Sequence, residues 1–394
     1  MISDDVVIVA AARTPQGRLL GQLAPFTAVQ LGSFAVTGAL TQGGIPAGAV
    51  DAVIVGQVLP AGSGQNPARQ VAIGAGIGWD VPAHSVNKVC LSGLTAVIDA
   101  ARMIRLGDAR VVVAAGMESM TRAPHLMMNS RSGWKYGSVE VLDHMALDGL
   151  TDAYEHDSMG ASTERLNPTY QLTRTQQDHV AALSHQRAAA AQAAGVFDGE
   201  IVPIEVPQRK GEPLRLTADE GVRPETTIET LAALRPAFAE GGTITAGNSS
   251  PISDGASAVV LTTRAHADDQ GWTVLAAVGA SGQVAGPDNS LHAQPAHAIE
   301  VAVQKHGITV GDLDLIEINE AFGAVVAAST ARLGVSEEIV NIHGGGIAIG
   351  HPIGASGNRL VVHVVHELVR RGSGIAAVAL CGGGGQGDAL IITR

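Results

Sequence analysis

The sequence predicts an α/β fold made of two homologous halves that flank an inserted segment, and three observations predict it. Strand-sized apolar runs alternate with helical patterns in each half, the pattern of layered α/β domains with a mainly parallel central sheet. The stretch Gly44-Ile45-Pro46-Ala47-Gly48-Ala49-Val50-Asp51 lines up with Gly307-Ile308-Thr309-Val310-Gly311-Asp312-Leu313-Asp314 at a shift of 263 positions. Between the matching parts, over residues 121–248, the texture turns polar and turn-rich, as in Arg131-Ser132-Gly133-Trp134-Lys135-Tyr136-Gly137 and around Gln208-Arg209-Lys210.

The elements follow in order. Residues 6–11 read as an opening strand, and residues 31–40 as a helix whose second copy is 298–303. Each helix leads through the repeated motif into a strand, 52–55 and then 315–318. Residues 94–105 are apolar on nearly every side, which predicts a buried helix. The strand after Gly107, at 111–116, is matched by 376–381 after Gly372, at a shift of 265. Two matches at nearly one shift indicate duplication. One clear helix, about 174–194, interrupts the insertion, and residues 389–393 read as a closing strand. The expected organisation is a first half at 1–120 completed by 249–272, an inserted subdomain at 121–248, and a second half at 273–394.

Composition excludes several classes. With 46% hydrophobic and 16% charged residues the chain can bury a core, unlike a disordered one. No stretch approaches the roughly 18 apolar residues of a membrane helix, and the acidic start, Ser3-Asp4-Asp5, is unlike a secretory signal. A net charge of −12 argues against non-specific nucleic-acid binding. The insertion, with 11 Lys and Arg against 17 Asp and Glu, is no basic patch either. Two cysteines, Cys90 and Cys381, cannot form a disulfide framework. The expectation is a soluble, cytoplasmic protein.

Four clusters carry candidate chemistry. Cys90, in Asn87-Lys88-Val89-Cys90-Leu91-Ser92-Gly93, precedes the buried helix, where free N–H groups favour a thiolate; an inert core cysteine is the alternative. Cys381 ends a strand and opens Gly382-Gly383-Gly384-Gly385-Gln386-Gly387, whose backbone can approach a ligand closely. A dinucleotide-binding loop would need a following helix, and only residues 388–394 remain. His351, in Gly350-His351-Pro352-Ile353-Gly354-Ala355-Ser356-Gly357, sits on a rigid turn suited to a general base or to a purely structural histidine. Asn319 and Glu320 end the second-half strand, where α/β sheets place sites; Asn319 could instead cap a helix. His363, His366 and Glu367 share a helical face with Arg370, expected to be solvated rather than metal-binding.

Together the four clusters, with Ala12-Arg13-Thr14-Pro15 and Gly116-Met117-Glu118-Ser119-Met120, resemble the thiolase family over nearly the whole chain. Gly56-Gln57-Val58-Leu59-Pro60-Ala61-Gly62 is similar to its biosynthetic branch. The resemblance implies a five-layered α-β-α-β-α fold, a homotetramer or homodimer, and reversible condensation of two acetyl-CoA molecules. It implies no metal and no resident cofactor, with coenzyme A as substrate and product. Cys90 would carry the acyl group, His351 would take its proton, Cys381 would remove the α-proton, and Asn319 would stabilise the enolate through a water. The N–H groups of Cys90 and Gly383 would form the oxyanion hole. Arg223, Ser250, Phe238 and Leu150 would bind coenzyme A, and Met159 and Phe322 would border the acyl group.

Two departures from the family pattern, Ser158 before Met159-Gly160 and Val284-Ala285-Gly286-Pro287-Asp288, are expected near the acyl pocket. A degradative 3-ketoacyl-CoA thiolase of longer acyl range shares every catalytic residue. A non-catalytic acyl-CoA carrier would tolerate loss of both cysteines.

Overall fold

The computed structural model describes residues 5–208 and 210–394; residues 1–4, read above for a signal, lie outside it, as does Arg209. In the first half β1 (Val6–Arg13) is buried along its length, and α1 (Ala28–Gly43) starts at a reciprocal Thr27–Gln30 cap. There follow β2 (Ala52–Gly56), α2 (Pro67–Gly74), β3 (Ala83–Val86), α3 (Ser92–Leu106) and β4 (Val112–Ser119). The insertion comes next, with short strand pairs and α4 (Arg174–Ala193), before β5 (Ser253–Thr263). The second half runs β6 (Ala276–Ala285), α5 (Gln294–His306), β7 (Leu315–Ile318), α6 (Gly323–Leu333), α7 (Ser356–Arg371), β8 (Ile375–Gly382) and β9 (Gln386–Thr393).

The strands share one order in the two halves. The first reads β3-β2-β4-β5-β1, the second β7-β8-β9-β6, and β1 meets β6 where the halves join. A parallel bridge from Ile316 to Val340 stands where the first half has β3.

The sheet is mixed, not mainly parallel as the alternation of elements suggests. Only β2–β3, β2–β4 and β7–β8 run parallel. The physical reason is the β8–β9 connection: the three residues 383–385 between the strands permit only an antiparallel hairpin. In the first half the whole insertion replaces that turn, and β4–β5 stays antiparallel.

Period-two alternation then sorts the side chains into layers. Val7, Val53 and Val113 face outward onto α1 and α2. Ile8, Ile54 and Val112 face inward onto α3 and α7, which also receive Val378 and Leu390. Ile316, Ala377 and Ile391 face α5. The result is five layers, with two central helices between the two halves of one continuous sheet.

Those central helices approach through glycine. A Cβ on Gly93 would lie 2.8 Å from the backbone N of Asn358 and from the carbonyl O of Gly354, and one on Gly357 would lie 2.6 Å from the N of Leu94. Gly93 and Gly357 are 264 positions apart, so duplicated residues make reciprocal contacts. This contact sets the start of α3 directly against the loop that carries His351.

Candidate active site

Cys90 sits on the turn between β3 and α3. Val89 holds φ at +51°, a conformation β-branched residues rarely adopt. Local bonds keep the turn: Val89 N–H donates to Asn87 Oδ1 (3.0 Å), Lys88 N–H to Ser92 Oγ (2.8 Å), and Ser92 Oγ to Val89 O (2.6 Å). Cys381 arrives on β8 from the second half, buried.

Both cysteines line one cavity of about 370 Å³, together with His351 and Gly383. Leu150, Met159, Phe238 and Ser250 come to its wall from the insertion and its junction with β5, and Phe322 from the second half. The Ser250 hydroxyl donates to Ala321 O (3.0 Å). Arg223 lies apart, on a neighbouring cavity of about 230 Å³. Ser249 and Pro251 line both spaces, which therefore adjoin. Asn319 is fully buried behind His351, its amide nitrogen 3.4 Å from both ring nitrogens, and Oδ1 is unpartnered. It caps no helix, because α6 starts beyond Phe322.

The hydrogen bonds assign the His351 tautomer. Ser356 Oγ donates its one proton to Pro352 O (2.9 Å) and therefore accepts from His351 Nδ1–H (2.6 Å). Nε2 keeps its lone pair. Burial, with help from the charge of Arg359, lowers this imidazole to about 3, so it is neutral at physiological pH.

The thiols differ from the expectation at the helix start. Burial pushes Cys90 up to about 12, against the N–H of Cys90 and of Gly383, which bond its sulfur. Burial likewise raises Cys381, with Cys90 contributing as a neighbour. Desolvation outweighs the helix N-terminus, and both rest as neutral thiols.

Two further expectations are corrected. The His363–Glu367 face is buried rather than solvated, because α7 is a central-layer helix: His363 Nδ1 meets Glu200 Oε2 at 2.9 Å, and His366 Nε2 donates to Ala11 O at 2.8 Å. Ser158 does line the cavity, but residues 284–288 pack against the glycine turn, with Gly286 N–H donating to Gly385 O (2.9 Å). Among the described residues no group of three or more His, Cys, Asp or Glu is arranged for a metal.

Comparison with known proteins places this two-cysteine cavity in a family. Thiolase N-terminal and C-terminal domain families match residues 6–265 and 272–394. The chain belongs to the thiolase family. A probable acetyl-CoA acetyltransferase of Mycobacterium tuberculosis is 56% identical over 386 residues, 98% of either chain. The acetyl-CoA acetyltransferase of Pseudomonas aeruginosa is 50% identical over 391 residues, 99% of either chain. The crystal structure of the Bacillus anthracis acetyl-CoA acetyltransferase superposes with a TM-score of 0.95 at 38% identity, covering 99% of this thiolase and 98% of that chain. Human mitochondrial 3-ketoacyl-CoA thiolase superposes at 0.96 and 37% identity over the full length of both.

The thiolase site also contains residues that sequence reasoning passed over. Ser356 fixes the His351 tautomer, and its place five residues on, at the start of α7, was a usable signal. Ser253 accepts the His351 N–H (3.1 Å). Glu118 is buried and accepts the N–H groups of Val58 (2.9 Å), Leu59 (3.2 Å) and Gly354 (3.1 Å), joining a first-half loop to the His351 loop. Nothing local in the sequence announces those partners.

Proposed function

We propose that this thiolase is an acetyl-CoA C-acetyltransferase, joining two acetyl-CoA molecules to give acetoacetyl-CoA and CoA, and running backwards as thiolysis. The observation that carries the reading is the single cavity walled by Cys90, His351 and Cys381. Cys90 Sγ attacks the thioester carbonyl while its proton passes to His351 Nε2; the tetrahedral oxyanion is held by the N–H groups of Cys90 and Gly383. The tetrahedral adduct collapses, the CoA sulfur takes the proton back from His351, and acetyl-Cys90 remains.

With the Cys90 thiol raised and the His351 imidazole lowered by burial, the resting pair is neutral thiol beside neutral imidazole. Proton transfer therefore accompanies attack. Cys381 passes its thiol proton to the freed His351 Nε2 and, as thiolate, takes the α-proton of the second acetyl-CoA. Asn319 and His351, through a water, hold the enolate oxygen. The carbanion attacks acetyl-Cys90, the C–S bond breaks, and the departing Cys90 thiolate takes its proton from His351, which restores both thiols and the neutral imidazole.

In this reading residues 121–248 form the CoA-binding subdomain, with pantetheine beside Leu150, Phe238 and Ser250 and the adenine end near Arg223. Met159 and Phe322 border the acetyl group. CoA is substrate and product, and no resident cofactor takes part. The reading carries a cytoplasmic homotetramer or homodimer with it.

The test is thiolysis of acetoacetyl-CoA beside longer 3-ketoacyl-CoAs, followed by mass mapping of the acylated peptide. Preference for acetoacetyl-CoA with acetyl on Cys90 is expected. Equal or faster turnover of long chains would move the enzyme to the degradative branch, and CoA binding without turnover would leave only a carrier.

A further inference from the structure

Lys88 stands two residues before Cys90, and its Nζ lies 2.7 and 2.9 Å from the two carboxylate oxygens of Asp388. Asp388 is fully buried on β9, paired with Leu380 and next to the Cys381–Gly387 pair of the ladder. The same carboxylate accepts the Thr95 hydroxyl (3.0 Å), in the first turn of α3, and the Gln283 amide (3.3 Å) on β6. One side chain of the second half thus grips both arms of the first-half turn that carries Cys90.

That turn needs a grip from outside. The bonds of Asn87 and Ser92 fix its shape but do not attach it to the strand pair of the second half. The left-handed Val89 gives it a conformation that relaxes if released. Lys88 keeps 24% side-chain exposure while Asp388 has none, so this ion pair is poorly screened by water. The His351 loop has a separate attachment, the glycine contacts of α3 with α7.

We infer that Lys88 is a positioning residue for carbon–carbon bond formation: through Asp388 it registers Cys90 against the Cys381 edge of the other half. The inference rests on the activity proposed above. Acylation uses Cys90 and His351, whose mutual placement does not depend on Lys88, and meets the second-half edge only at Gly383. Condensation additionally requires Cys381. A displacement approaching 1 Å costs on the order of 100-fold in rate, and the loss should fall mainly on condensation.

The test compares Lys88→Met and Lys88→Arg with the wild type, measuring the rate of acetyl-Cys90 formation from acetyl-CoA and the rate of acetoacetyl-CoA formation. Lys88→Met should slow acylation about threefold or less and condensation roughly 30-fold or more, and Lys88→Arg, which keeps charge and reach, should restore condensation. If the lone Asp388 charge prevents Lys88→Met from folding, the Lys88→Met/Asp388→Asn double variant is measured in the same way. Unchanged condensation, equal losses in both steps, or an Arg variant no better than Met would overturn the inference. A wild type that neither acetylates Cys90 nor condenses would sink the proposed activity instead.

Discussion

Replacing Gly93 by alanine tests the geometry that brings Cys90 to His351. The new Cβ would stand 2.8 Å from Asn358 N and Gly354 O and 3.2 Å from Ala355 O, all backbone atoms of the His351 loop and α7. Ordinary contact begins near 3.4 Å, so the two helix starts must separate by about 0.6 Å. Alanine raises helix propensity by at most ~1 kcal/mol, while overpacking against rigid backbone costs about 1–3 kcal/mol. Overpacking wins, and a net loss of about 1–2 kcal/mol is expected. The same separation moves Cys90 from His351, and acylation should slow about tenfold. Urea unfolding reads the first effect, and the burst of CoA on mixing with acetyl-CoA reads the second. A variant with wild-type stability and a wild-type burst would refute the reasoning. Gly357→Ala, the duplicated position, should behave alike, because its Cβ meets Leu94 N at 2.6 Å.

Other predictions follow from the charges. A Cys90 thiol raised to about 12 predicts that, in a His351→Ala variant with no neighbouring base to take the proton, alkylation by iodoacetamide accelerates about tenfold per pH unit from pH 6 to 9; a plateau below pH 8 in that variant would mean a stable thiolate. Glu200 bonds Arg13 Nε (2.7 Å) and His363 Nδ1 (2.9 Å). Burial raises its carboxyl, but the charges of His363 and Arg13 outweigh that and hold it well below the usual range. Glu200→Gln should therefore cost about 3–5 kcal/mol at pH 7. Because the folded-state value is depressed, the gap should persist above the ordinary carboxylate value of about 4.5 and narrow as the pH falls below it. A gap that widens in acid would contradict the pairing.

The parts of this molecule that repeat were legible, and the parts that depend on distant partners were not. Residues 52–55 and 315–318 announced their strands, and the shift near 264 announced two like halves. Strand direction was hidden, since β1, β4 and β5 are buried on both faces and an all-apolar run carries no sign of its sense. The three-residue turn after Gly382 was the one local clue to an antiparallel pair.

The catalytic candidates came from short motifs and the coenzyme A and acyl-pocket candidates from the thiolase resemblance, and all except Asn319 and Arg223 reach the cavity wall. The thiol state was misjudged because the helix start is visible in the sequence and the degree of burial is not. Arg13 is joined to Asp219 at 2.7 Å and Glu200 to His363 at 2.9 Å, across separations of 206 and 163 residues that no spacing rule reaches. The supposed solvated face of α7 failed for the same cause: His363 meets Glu200 of the insertion and His366 meets the Ala11 carbonyl of β1, both far away in sequence.

The division of labour between the two sulfurs is tested most directly in the Cys381→Ser variant mixed with acetyl-CoA alone. One equivalent of CoA should be released per site, with acetyl found by mass spectrometry on the Cys90 peptide, while acetoacetyl-CoA fails to form. Acetoacetyl-CoA produced at the wild-type rate, or acetyl located on any residue other than Cys90, would contradict it.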